Sequence, residues 1–249
     1  VYISNFAASS ELWRMPVSGS RTPRRLEFAG DQVGSLAISR QGNRLAYERM
    51  LWDLNIWRLE LHGPGGKAGK PVSLISSTWA DQVPQYSPDG SRIVFISGRS
   101  GHEEVWVAGS DGSNPVQLTS MRATVTGAPH WSPDGGRIIF DSNVEAQFEV
   151  YVVNAGGGRL KRLTNHPADD AVASFSRDGR WIYFTSNRTG RFEMWKMPAE
   201  GGEPVQLTRN GGWWGFESFD GKYLYYAPYN YNYESSSLWK LPLGGGDEQ

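Results

Sequence analysis

The residues of this chain whose types suggest chemistry mostly fail on spacing. The run Gly63-Pro64-Gly65-Gly66-Lys67-Ala68-Gly69-Lys70 has the glycines and lysines of a phosphate-cradling loop. Such a loop needs glycine where Pro64 stands, and a serine or threonine where Pro71 follows Lys70. Gly98-Arg99-Ser100-Gly101 approaches a nucleophile elbow but is one residue short. Asn187-Arg188-Thr189-Gly190 occupies the same place further along, so both read as turns. A hydrolytic serine also needs a histidine and an acid within reach. His62, His102, His130 and His166 fall far apart, and no pair has metal-ligand spacing. His102-Glu103-Glu104 reads as a solvated loop, and the glycosylation sequon at Asn187 as accidental. These residues yield no catalytic group, metal ligand or cofactor motif.

Bulk composition narrows the class. The 249 residues carry 25 Lys and Arg against 26 Asp and Glu, a net charge of −1. With the signs interspersed, there is no basic footprint for nucleic acid or an anionic membrane. Cysteine is absent, which excludes a disulfide framework and a thiolate zinc site. No apolar run approaches the roughly 20 residues that span a bilayer as a helix. There is no signal peptide, but Val1-Tyr2-Ile3 opens inside a strand pattern, so the chain reads as a segment of something longer. Eleven Trp, eleven Tyr and 30 Gly make a β composition rich in turns.

The elements that must position any site are repeats. Ser87-Pro88-Asp89-Gly90 precedes Arg92-Ile93-Val94-Phe95, and Ser132-Pro133-Asp134-Gly135 precedes Arg137-Ile138-Ile139-Phe140. Looser copies start at Ser39, Ser176 and Ser218, so the serines lie 48, 45, 44 and 42 residues apart. Trp13, Trp57, Trp106, Tyr151, Trp195 and Trp239 keep the same step, as do Leu26, Leu74, Leu118, Leu163 and Leu207. A period in the forties signals a repeat architecture. Each repeat reads as four short strands, and strands such as Ile93-Val94-Phe95-Ile96 are apolar on both faces. A sheet of that kind must bury each face on a neighbour, which radial packing of blades achieves. The expected fold is all-β, a six-bladed β-propeller forming a single domain over 1–249. Its blades lie at about 1–30, 31–80, 81–122, 123–167, 168–211 and 212–249. The first starts at its second strand and the last stops after its third, so both should show three strands.

These motifs resemble the WD-like repeats of the TolB family of propellers. The resemblance rests on Ser-Pro-Asp-Gly-x-x-Ile-x-Phe, on Glu104-Val105-Trp106 and on Pro-Val-Gln-Leu-Thr at 115–119 and 204–208. True WD repeats end the third strand on Trp-Asp, whereas Trp52-Asp53 lies in a loop. The stretches Arg162-Leu163-Thr164-Asn165-His166-Pro167 and Trp195-Lys196-Met197-Pro198 resemble propellers attached to winged-helix regulators of bacteria such as acidobacteria. The resemblance implies a recognition role, and TolB itself suggests the periplasm.

The repeat is broken in the loops between second and third strands. The position of Arg99 and Arg188 reads Phe6, Met50, Val144 and Tyr229 elsewhere, and that of Gly101 and Gly190 reads Ala8, Trp52, Ala146 and Tyr231. In a propeller these loops share a face with the loops joining blades, to which Trp79, Trp213 and Trp214 are assigned. The expected site is therefore an aromatic mouth of Phe6, Met50, Trp52, Trp79, Phe148, Phe192, Trp213, Trp214, Tyr229, Tyr231 and Tyr233. Exposed apolar loop residues of this kind mark binding surfaces, unless they fold down to plug the mouth. The expected function is non-catalytic recognition of a protein, peptide or apolar small molecule, with no direct nucleic acid contact and no membrane insertion. Strand exchange or self-association is open to the three-stranded ends. The alternatives are the propeller part of a larger enzyme, such as a prolyl-oligopeptidase-like peptidase, or a glycan-binding module.

Overall fold

The computed structural model describes the chain except residues 1, 7–8, 17–21, 28–32, 42–43, 50–53, 62–68, 229–236 and 246–249. Among the described residues every regular element is a strand apart from a single helical-turn residue, Glu27, and all ladders are antiparallel. The chain forms two compact units, Val1–Asp53 and Leu54–Gln249.

In the first unit β1 (Tyr2–Phe6), β2 (Ser9–Arg14) and β3 (Arg24–Arg25) form one sheet, and β4 (Val33–Ile38) pairs with β5 (Leu45–Arg49). Leu12 and Val33 are its buried centre, with Leu26, Leu36, Leu45 and Tyr47 packed around them. The second unit begins with β6 (Ile56–Arg58) paired to β7 (Val72–Ile75). The expected blade at 31–80 is thus recorded as two separate pairs. Three four-stranded sheets follow: β8 (Asp81–Tyr86), β9 (Arg92–Ser97), β10 (Glu104–Gly109), β11 (Val116–Gln117); β12 (Thr126–Trp131), β13 (Arg137–Glu145), β14 (Gln147–Asn154), β15 (Lys161–Arg162); β16 (Asp170–Phe175), β17 (Trp181–Ser186), β18 (Glu193–Pro198), β19 (Val205–Gln206). A last sheet holds β20 (Trp213–Glu217), β21 (Tyr223–Ala227) and β22 (Trp239–Pro242). The first and last sheets have three strands each among the described residues.

Strand periodicity explains why these sheets stack. Successive side chains point to opposite faces. On β9, Ile93 and Phe95 pack with Ile56 and Ile75 of the preceding pair, while Val94 and Ile96 pack with Ile138 and Phe140 of the following sheet. On β13, Ile139 turns the other way, to Ile182 and Phe184. Tyr183 then faces Leu224, Tyr226 and Leu241. Each such side chain is at most 8% exposed and contributes about 1.5–3 kcal/mol by leaving water. The repeated aromatics sit opposite one another in the ladders, Phe95 with Trp106, Phe140 with Tyr151, Phe184 with Trp195 and Tyr226 with Trp239.

The Ser-x-Asp-Gly turns are self-contained. Ser87 Oγ donates to Asp89 Oδ1 at 2.6 Å and accepts the Arg92 N–H at 2.9 Å, and Gly90 takes φ = 70°. The Ser87 hydroxyl, with the Ser91 amide, holds the Asp89 carboxyl down at about 2. Asp178 behaves in the same way beside Ser176. These acids are spent on holding the turn.

A second repeated device joins each sheet to the next. Glu104 and Glu193 open their third strands, Glu149 is the third residue of β14, and all three are buried. Each accepts a threonine hydroxyl, from Thr119 at 2.5 Å, Thr164 at 2.5 Å and Thr208 at 2.6 Å. Each threonine also accepts the next backbone N–H of the third strand. A third device is an arginine wedge. Arg188 lies over the rings of Phe184 and Trp195 and pairs with buried Asp170 at 2.8 Å; Arg99 does the same with Phe95, Trp106 and Asp81. The β12–β15 sheet lacks the wedge, with Thr126 against Ser142 at 3.2 Å and Val144 in the arginine position.

Removing one partner of a buried ion pair strands the other, so Asp170→Ala should lower stability by about 3–5 kcal/mol in urea unfolding. The double change Asp170→Thr with Arg188→Val, which copies Thr126 and Val144, should lose clearly less than the two single changes added together. Additive losses would mean the pair is not the coupled unit described.

Candidate functional site

The inner strands of the second unit, β8, β12, β16 and β20, share a distortion that positions the candidate site. In each the register slips, between Gln82 and Gln85, Gly127 and His130, Ala171 and Ser174, and Trp213 and Phe216. In each the residue at the slip is left-handed although it is not glycine: Val83 (φ 52°), Ala128 (45°), Val172 (52°) and Trp214 (55°). A β-bulge re-aims side chains and frees backbone groups from the ladder. A bulky residue held at positive φ stores about 1–3 kcal/mol of strain, and its surroundings must enforce it.

At β20 the enforcement is visible. A β-carbon at Gly212 would lie 2.7 Å from Met194 Cγ, and one at Gly215 would run into Met194 Cε. These glycines let β20 sit directly on buried Met194. Trp213 packs edge-on against Phe192, ring centres 4.9 Å apart. Trp214 is 52% exposed and Phe216 50% exposed.

The eleven sequence-predicted residues divide accordingly. Met50, Trp52, Tyr229, Tyr231 and Tyr233 lie outside the described residues, and Phe6 is described only as the backbone end of β1. Trp213 and Trp214 are strand residues, not part of a joining loop, because the ladder starts at Trp213 opposite Ala227. Val144 and Phe148 also lie in strands, since β13 and β14 extend into a tight hairpin around Ala146 (φ 86°). Trp79 is 39% exposed; its ring lies across Gly98, and Ser77 Oγ bridges its backbone N–H and carbonyl. Phe148 and Phe192 are half-buried. The structure thus brings Phe192 and Trp213 together as packing and leaves Trp79 and Trp214 facing solvent.

Sequence reading missed three features. Phe216 carries the aromatic surface along β20, as the alternation Trp214-Gly215-Phe216 could have indicated. Asp141 is 4% exposed inside an apolar strand, at the register of Ile96 and Thr185. Its Oδ2 accepts the N–H of left-handed Val172 at 2.7 Å, and burial pushes its carboxyl up to about 6. The signal was a lone acid in Ile138-Ile139-Phe140-Asp141. Burial also pulls His130 down to about 4, and its Nδ1 lies 2.7 Å from Gln85 Nε2. Among the described residues no three His, Asp or Glu side chains gather as a metal site, and no helix is long and apolar enough to cross a membrane. Two open clefts of about 430 and 320 Å³ share Leu118 at the outer strand β11 and include none of the predicted aromatics.

Stacked antiparallel sheets with a bulged inner strand and a Ser-x-Asp-Gly turn define a propeller-type repeat protein. Residues 116–241 match the TolB beta propeller domain family, and the chain belongs to it. It is 32% identical over 90 residues to the Tol-Pal system protein TolB of Syntrophotalea carbinolica, covering 34% of this chain and 21% of that protein. The chain therefore spans about a fifth of that relative's length. It superposes on the structure of putative TolB from Agrobacterium tumefaciens with a TM-score of 0.68 at 21% identity, covering 92% of this chain and 83% of that one. A puromycin hydrolase structure matches with a TM-score of 0.60 at 17% identity, covering 97% of this chain and 43% of that one. At these identities the structural matches speak to fold.

The aromatics should separate on mutation. Trp213→Ala should lower unfolding stability by about 2 kcal/mol through lost packing on Phe192, and Trp214→Ala should stay within about 0.5 kcal/mol. A large loss at Trp214 would make it a core residue. Asp141 should impose a pH dependence. Its folded pKa is raised to about 6 from 3.8, so the folded state holds the proton more tightly than the unfolded chain. The group therefore favours folding most below pH 4, and that stability is lost as pH rises through 6, by about 3 kcal/mol. Asp141→Asn should be more stable than the parent at pH 7 and close to it at pH 4, measured as melting temperature against pH.

Proposed function

We propose that the chain is a non-catalytic recognition module, a six-bladed propeller that holds a protein or peptide partner through exposed aromatics on its inner strands and adjoining loops. The supporting observation is Trp214. It is a large aromatic held left-handed and half-exposed, where the other inner strands of its unit carry Val83, Ala128 and Val172. Strained backbone clusters at functional sites, and Trp leads the residues that dominate binding energy. The six sequence repeats and membership of the TolB propeller family support the blade count. Bulged inner strands also leave backbone donors and acceptors that an extended peptide can use. Such a module would serve within a larger chain, as in the winged-helix regulators its sequence resembles.

A second reading, the propeller part of an enzyme, is supported by the match to less than half of a puromycin hydrolase. It requires a hydrolase domain encoded beside this segment. The recognition reading is tested by selecting peptides on the wild-type protein from a displayed library and measuring them by calorimetry. Trp214→Ala should weaken the selected peptides at least tenfold, and Phe219→Ala, in the turn between β20 and β21, should not. Equal affinity for wild type and Trp214→Ala would overturn the assignment. Saturable binding of neutral oligosaccharides, lost in the same variant, would favour a glycan module instead.

A further inference from the structure

The residue just before the left-handed position on each inner strand is Gln82, Gly127, Ala171 or Trp213. Only β12 has no side chain there. A β-carbon built at Gly127 would stand 3.2 Å from Asp141 Oδ1, with no other heavy atom within 4 Å, and Gly127 itself is half-exposed. The missing side chain therefore leaves a slot above Asp141, with a carboxylate oxygen at its floor.

Among the described residues no protein group donates a hydrogen bond to that oxygen. Val172 N–H is taken by Oδ2. Among the described residues no Lys, Arg or His lies within ion-pair distance of Asp141. The neighbouring polar groups are committed elsewhere: Ser142 Oγ donates to Val125 O, and Asn143 Oδ1 accepts Val125 N–H. Asp141 Oδ1 is not sealed in, so a donor can reach it, and hydrogen bonds to a charged carboxylate are among the stronger ones.

We propose that the slot between Gly127 and Asp141 is a binding site for a primary ammonium group of the partner, a lysine side chain or a chain amino terminus. This rests on the reading of the inner strands as a recognition surface. The head group must be compact, because it enters past a single missing β-carbon. A guanidinium gains most from two oxygens in one plane, and Oδ2 is already engaged. The raised pKa of Asp141 fits a carboxylate awaiting a cation, whose arrival favours the charged form.

The Val172 amide reports on Asp141 directly, through its bond to Oδ2. Methylammonium chloride titrated into ¹⁵N-labelled protein should shift this amide to saturation. Tetramethylammonium chloride and sodium chloride at the same ionic strength should not. Gly127 is not at positive φ, so Gly127→Ala is conformationally allowed, and it should abolish the response by filling the slot. Asp141→Asn, of nearly the same shape, should abolish it by removing the charge. A non-saturating shift, an equal response to tetramethylammonium, or unchanged saturation in Gly127→Ala overturns the proposal. Saturation by Nα-acetyl-lysine methylamide but not glycinamide assigns the group to a lysine side chain, and the reverse to an amino terminus; saturation by neither overturns it. Trp214→Ala should leave the titration intact, so this result stands apart from the peptide selection.

Discussion

Everything in the second unit depends on sheets that are apolar on both faces. Ile93 and Phe95 point one way from β9, and Val94 and Ile96 the other. Neither face can meet water at low cost, so each four-stranded sheet is stable only between neighbours. The same division recurs at Ile138, Ile139 and Phe140, and at Ile182, Tyr183 and Phe184. Stability is thereby spread over the interfaces between repeats.

Such interfaces leave buried polar groups to be satisfied, and the repeat does this with fixed sets of residues. Glutamate and threonine lock the third strand to the chain leaving each sheet, as at Glu193 and Thr208. Arginine and aspartate close the opposite corner, as at Arg188 and Asp170. Where one member changes its partner changes too, as Thr126 and Val144 show. Polar pairs in low dielectric are replaced together or not at all, because a stranded charge is worse than an apolar substitute.

The inner strands follow a different rule. Their bulges are strained and repeated, and the residues around them vary: Gln82, Gly127, Ala171 and Trp213 before the left-handed position, then Val83, Ala128, Val172 and Trp214 at it. A rigid, regular scaffold that carries variable residues on a distorted strand is the usual arrangement of a recognition surface. Trp214 lies between Gly212 and Gly215, which approach Met194 closely, and it still reaches solvent.

How much was legible in the sequence follows from the range of each interaction. The Ser-x-Asp-Gly turns and the strand alternation are local or periodic, and residues such as Ser87, Asp89 and Phe95 announce them. Phe192 as the packing partner of Trp213 was not legible, nor was the Glu104–Thr119 bond across fifteen residues, because neither distance is written in spacing. The sequence by itself determined an all-β repeat fold, with aromatics where the repeat breaks. Tertiary structure decided which aromatics are packing and which face solvent. It also placed Asp141 beneath Gly127 and beside Val172 of the next sheet. Those outcomes depend on backbones from different repeats meeting within a few ångströms, and on a bulge that turns one residue in each inner strand away from the regular pleat.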